Sequence, residues 1–226
     1  MKSADKNSRI IGLILAIAAI AAVFVTEQYL KPAYAAKSAV KLCCFAGAIV
    51  AYSVISHRKL SDVINLHKLK NARALIISAL FCFIGIGIAF TLFRNQIDLS
   101  AIKQSLMSKE NLTKENCLFV FAYIILVNSF LEESFFRGFL SHLFTDKKLG
   151  YVISAVLFAL YHIGIVAGWF NPLVFIISIA GLAVVALFLQ WLSDRYQTIA
   201  ASWLAHGCAN LAINIIGALL IFEYIV

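Results

Sequence analysis

Glu132, Glu133 and Arg137 stand in the stretch LEESFFRG, Leu131 to Gly138, at the end of an apolar run that begins Cys117-Leu118-Phe119-Val120-Phe121. Carboxylates in apolar surroundings are the groups from which general acids and bases are made, because desolvation raises their proton affinity toward neutrality. Spacing separates the two acids. Glu133 and Arg137 are i and i+4 with the acid first, the favourable order for an intrahelical ion pair. Glu132 is rotated by about 100° from Glu133 and has Asn128 and Phe136 as its i−4 and i+4 neighbours, so its own helix gives it no countercharge. It is the expected base or acid. A purely structural Glu–Arg pair explains LEESFFRG alone equally well.

Two histidines follow in separate apolar segments. His162 closes Phe158-Ala159-Leu160-Tyr161-His162, and His206 lies in a stripe Ser202, His206, Asn210, Asn214 at i, i+4, i+8 and i+12 on a segment otherwise made of Leu, Ile, Ala and Gly. A lone histidine on an apolar face is commonly a hydrogen-bonded core residue, and such a polar stripe serves equally as interhelical glue.

Composition says which elements must position these side chains. The chain has 226 residues, 62% hydrophobic and 13% charged, with a mean hydropathy of +0.92. Charged residues fall well below the quarter that is usual in soluble domains. The expected fold is all-α, a polytopic membrane bundle of about seven helices, six to eight, with a polar cavity in its cytoplasmic half. The expected spans are Ile10 to Leu30, Val40 to Ser56, Ala72 to Phe93, Cys117 to Leu143, Gly150 to Gly168, Leu173 to Leu192 and Thr198 to Val226. Pro32 and Pro172, the two prolines, are expected in loops. With no repeat or low-complexity linker, residues 1–226 read as one domain.

The net charge of +8 does not indicate nucleic acid, because the basic residues sit at helix ends without interleaved aromatics. They report topology instead. With the N-terminus inside, the inner segments carry Lys2, Lys6, Arg9, Arg58, Lys59, Lys68, Lys70, Arg73, Lys147, Lys148 and Arg195; the outer loops carry Lys31, Lys37, Lys41, Arg94, Lys103, Lys109 and Lys114. That excess favours a cytoplasmic N-terminus. Residues 94–116 form the one long polar interlude, a plain outer loop or an interfacial helix built on Leu99, Ile102 and Leu106. The basic start, apolar run and Ala33-Tyr34-Ala35 imitate a secretory signal; an uncleaved first helix is the preferred reading. The five cysteines show no CxxC spacing and read as reduced packing residues.

Depth allows the polar residues to meet. At 1.5 Å per residue, His162 lies ~18 Å from Gly150, His206 ~12 Å from Thr198, and Glu132 ~22 Å from Cys117. Antiparallel helices bring such depths together in the inner half of a bilayer core about 30 Å thick.

EExxxR (Glu132, Glu133, Arg137), FxxxH (Phe158, His162) and HxxxN (His206, Asn210), in this order in separate membrane helices, resemble the three signatures of the CPBP intramembrane endopeptidases. That family includes the CAAX prenyl endopeptidases and the bacterial Abi-type proteins of bacteriocin processing and self-immunity. The resemblance covers residues 117–216, the expected catalytic core, and the N-terminal half carries no matching signature. It implies peptide-bond hydrolysis within the membrane by an activated water. Glu132 would be the base, His162 would hold the water, and His206 with Asn210 would donate to the oxyanion. Glu133 with Arg137 would fix the helix and its local field. It also implies a membrane-associated peptide or protein as substrate and, in an integral protein of the bacterial cytoplasmic membrane, leader-peptide, bacteriocin or C-terminal anchor processing. A metal-free glutamate mechanism is expected; zinc held by Glu132, His162 and His206 is the alternative. The sequence leaves the oligomeric state open. Two other classes stay in view: a non-catalytic scaffold or immunity protein that binds a peptide at these residues, and a proton-coupled transporter, against which stands the lack of paired broken helices or an inverted repeat.

Overall fold

In a computed structural model that describes residues 6–69, 72–166 and 170–225, the described chain is an all-α assembly. Seven long helices follow one another: α1 (Lys6–Leu30), α2 (Tyr34–Ile55), α3 (Ala72–Phe93), α4 (Cys117–Leu143), α5 (Lys147–Val166), α6 (Pro172–Tyr196) and α7 (Ile199–Ile221). Six stretches of described helix, all but α5, are long and apolar enough to cross a membrane by length and composition. The span expected at 150–168 falls on α5, and its expected end at Gly168 lies outside the described residues, as do Lys2, Lys70 and Val226.

Several boundaries differ from expectation, three of them with consequences for the fold. The second helix begins at Tyr34 rather than Val40, which takes Lys37 and Lys41 out of the outer loop and onto a buried stripe with Phe45, Ala48, Ile49 and Tyr52. Pro172 is not in a loop but starts α6, where its missing N–H costs nothing; Asn171 caps this end through Oδ1, which accepts from the Val174 N–H at 3.0 Å. The last helix stops at Ile221, short of Val226. Within 94–116, Leu99–Gln104 is helical and continues as a wider turn over Ser105–Lys109. Asp98 caps it, accepting from the Ala101 N–H at 2.8 Å. The five cysteines are free thiols.

α4 is the axis of the bundle. Its second half packs against α1, α2, α5, α6 and α7, and every residue from Leu131 to Ser141 is buried. A helix buried all round needs apolar residues all round, and here most of them are aromatic. Phe135 stacks on Phe45 of α2 with centroids 4.0 Å apart, and Phe136 meets Phe158 of α5 edge-on at 5.2 Å. Ser154 of α5 donates to the Phe136 carbonyl at 2.7 Å. Two π-helical turns, Ile124–Asn128 and Ser134–Phe139, interrupt the regular ladder. Such turns release carbonyls from the i−4 pattern. At the first of them, Leu126 accepts from Trp203 Nε1 at 3.0 Å and Ile124 from Asn210 Nδ2 at 3.4 Å.

Gly138 closes the LEESFFRG stretch against the connection after α2. A Cβ at this position would lie 2.5 Å from the Ile64 carbonyl oxygen, a backbone atom that cannot swing aside. Gly138→Ala therefore pushes α4 and this connection apart and costs about 1–3 kcal/mol, the usual range for overpacking. Thermal unfolding in detergent measures it; an unchanged Tm would show the contact to be loose.

Candidate active site

Three helices deliver five of the six expected site residues to one place. Glu132, Glu133 and Arg137 come from α4, His162 from α5 and His206 from α7. Glu132 and Arg137 are each 1% exposed and Glu133 is fully buried. Charges this deep need partners or they are prohibitively costly.

Glu133 and Arg137 have the i, i+4 arrangement read from their spacing, with Arg137 Nη1 3.3 Å from Glu133 Oε1. The guanidinium also lies 4.1 Å from the centroid of the Phe158 ring, and Nη2 donates to the Ala186 carbonyl of α6 at 3.5 Å. One cation thus ties α4 to α5 and α6. On the other side of Glu133, Oε1 lies 2.8 Å from Nδ1 of His206. A carboxylate can only accept, so Nδ1 carries the proton. His206 Nε2 is then a lone pair in the neutral ring and a donor in the imidazolium.

Glu132 departs from the sequence expectation. Its own helix provides no countercharge, as the spacing predicts, yet Lys41 of α2 places Nζ 2.5 Å from Glu132 Oε1. Asn128, one turn earlier on α4, donates from Nδ2 to the same Oε1 at 3.0 Å while its Oδ1 accepts from Lys41 Nζ at 2.5 Å. The ammonium also lies 5.0 Å from the centroid of the Tyr161 ring. The second oxygen of Glu132 is different. Oε2 is buried without a hydrogen-bond partner and faces His206 Nε2 at 3.7 Å and His162 Nε2 at 3.9 Å. The Nδ1 of His162 is 2.8 Å from the Phe158 carbonyl, which fixes the proton on Nδ1 and leaves Nε2 of the neutral ring as an acceptor. Separations just beyond hydrogen-bond length are those that a single water bridges.

Asn210 does not join this cluster. It is half-buried, and its amide is engaged with the Ile124 carbonyl at the first π-helical turn. Asn214 is placed in the same way, 3.4 Å from the Phe121 carbonyl, and Ser202 donates to Ile199 within its own helix. The lower part of the α7 stripe is therefore interhelical glue between α7 and α4.

The depth of the cluster is bracketed rather than confined to one half. Glu132 and His206 lie toward one end of the bundle by their distances along α4 and α7. Lys41, however, is only about 10 Å along α2 from the opposite end, at 1.5 Å per residue. A separate apolar groove lies between α1 and α5, lined by Ile17, Ala21, Leu157 and Tyr161 among others. Among the described residues, no three His, Cys, Asp or Glu side chains form a ready-made metal site.

Sequence reasoning missed Lys41, and the signal for it was present. Lys37, Lys41 and Phe45 are spaced i, i+4, i+8, in phase with Tyr52, so extending the apolar stripe of α2 backwards puts both lysines on its buried face.

Residues 114–212 match the family model described as type II CAAX prenyl endopeptidase Rce1-like. The matched region contains Glu132, Glu133, Arg137, His162, His206 and Asn210 and excludes Lys41. No curated protein and no solved structure matches the chain. The family is one of membrane proteases, in agreement with the motif resemblance, and the apolar helices make the chain an integral membrane protein.

Proposed function

We propose, on the premise that residues 114–212 carry a type II CAAX prenyl endopeptidase Rce1-like domain, that this protein hydrolyses a peptide bond in a membrane-associated peptide or protein, with Glu132 activating the water. The observation that carries the reading is the unpartnered Oε2 of Glu132 facing the Nε2 atoms of His162 and His206.

The bonding capacities of these atoms order the steps. A water between them donates one O–H to Glu132 Oε2 and the other to His162 Nε2, which leaves a lone pair free to attack the scissile carbonyl. Glu132 takes the first proton as the C–O bond forms, and later returns it to the leaving amine as the C–N bond breaks. The oxyanion needs a donor. His206 supplies one from Nε2 when its ring is the imidazolium, with Nδ1 held 2.8 Å from the Glu133 carboxylate. Asn210 adds a second donor only by releasing the Ile124 carbonyl, so its share of oxyanion stabilisation is gained through a local rearrangement of the first π-helical turn.

The same Glu132, His162 and His206 atoms are a donor set that zinc accepts. Lys41 argues against it. A second cation 2.5 Å from the same carboxylate opposes a dication at Oε2 by direct repulsion. A metal-free reaction is our reading. Purified protein should contain zinc well below one per chain, and 1,10-phenanthroline should leave cleavage unchanged. One tightly held zinc whose removal stops cleavage would replace the water mechanism with a metal-assisted one.

The orientation we propose has the N-terminus in the cytoplasm of a bacterial cell. With Lys37 and Lys41 buried against Glu110 and Glu132, fewer outer cations oppose the inner ones, which widens the bias that sets topology. The substrates in view are leader peptides, bacteriocins and C-terminal anchors. Cleavage is tested with purified protein in detergent and a peptide library made from digested host membranes, read as new termini by mass spectrometry.

A further inference from the structure

We infer that Lys41 is a positioning residue for Glu132, which selects the carboxylate oxygen that meets the water and neutralises the charge that the family-like core leaves uncompensated. The inference rests on the protease reading above and adds to it a residue from outside the matched region.

Geometry carries the argument. A glutamate carboxyl rotates broadly about its last torsion, so its two oxygens are interchangeable unless something distinguishes them. Lys41 Nζ at 2.5 Å and Asn128 Nδ2 at 3.0 Å both donate to Oε1, whereas Oε2 receives none. Turning the carboxyl over would break two hydrogen bonds, one of them charge-assisted. Oε2 is thereby kept toward His162 and His206. The ammonium is itself held, by Asn128 Oδ1 and over the Tyr161 ring, so the constraint does not depend on a freely moving side chain.

Charge leads to the same conclusion. The site buries two acids and two cations: Arg137 serves Glu133 and Lys41 serves Glu132. Arg137 comes from the same helix as its partner. Lys41 comes from α2, which otherwise contributes packing to this part of the fold. Lys41 is 6% exposed, a burial that an aliphatic side chain would achieve without the cost of desolvating an ammonium.

The test uses purified full-length wild type, K41M, K41R, E132Q and the K41M/E132Q double variant, each melted in detergent and each given the membrane-derived peptide library. In the melts, K41M should lower Tm more than the double variant does, because the single change leaves Glu132 buried without its cation. In cleavage, K41M should lower kcat by about 100-fold, comparable with loss of one preorganised electrostatic contact, with KM changed much less, and K41R should restore a substantial part. Additive Tm losses, or a K41M rate within twofold of wild type, would overturn the inference while leaving the protease reading intact. Equal peptide products from wild type and E132Q would overturn the protease reading and remove the catalytic role of Lys41 with it, whatever the melts show of the ion pair.

Discussion

Glu132→Gln should all but stop cleavage while the bundle stays assembled. The substitution keeps the size of the side chain and an oxygen that can still accept from Lys41, but it removes the carboxylate oxygen that faces His162 Nε2 and that the proposed reaction uses to take a proton from water. Loss of a positioned general base lowers kcat by about 10²–10⁴-fold, and it is Glu132 Oε2 that faces both His162 and His206, whereas Glu133 meets Arg137 and His206 through its Oε1. Initial rates on a cleaved library peptide, beside melting curves in detergent, check both halves of the expectation. Tm should fall modestly, since Lys41 loses its countercharge. A rate within twofold of wild type would remove Glu132 from the chemistry.

Arg137→Met should strongly destabilise the bundle. Its guanidinium is 1% exposed and joins three helices, through Glu133 on α4, the Phe158 ring on α5 and the Ala186 carbonyl on α6. Removing one partner of a buried pair commonly costs 3–5 kcal/mol, because the remaining charge stays desolvated and alone. Activity falls as well, through Glu133 and the His206 that it orients. The diagnostic is the double variant. Glu133→Gln together with Arg137→Met should melt higher than Arg137→Met alone, whereas Arg137→Lys should recover little, because an ammonium reproduces neither the guanidinium contact over the Phe158 ring nor the reach to Ala186. Equal melting of the single and double variants would mean that the pair contributes little and that packing alone explains the loss.

Much of this arrangement was legible in the sequence because membranes restrict what a sequence can mean. With water absent, backbone groups must pair internally, so apolar segments of sufficient length become helices, and α1, α3 and α4 fall close to their expected ranges. The same restriction makes an ion conspicuous. Glu132, Glu133 and Arg137 were visible as a problem before any geometry was known, and the i, i+4 pairing of Glu133 with Arg137 follows from helical spacing alone. What spacing cannot supply is a partner from another helix. Lys41 is the second residue of the span expected from Val40 and counts there with the outer cations, so a start of α2 placed a turn and a half too late hides the countercharge of Glu132. The role of Asn210 shows the converse. It sits one turn beyond His206, and only the released carbonyl at Ile124 reveals that its amide is committed elsewhere, since π-helical turns leave no trace in hydrophobic periodicity.

Peptide termini in living cells test most directly whether Glu132 makes this protein a protease. Membrane and secreted peptides would be compared between host cells that carry the wild type and cells that carry Glu132→Gln at matched abundance. A set of termini present only with the wild type is the predicted result, and those termini would also name the substrate. Identical termini in both, with a deletion phenotype rescued equally by each version, would contradict the claim and assign the buried cluster to binding rather than catalysis.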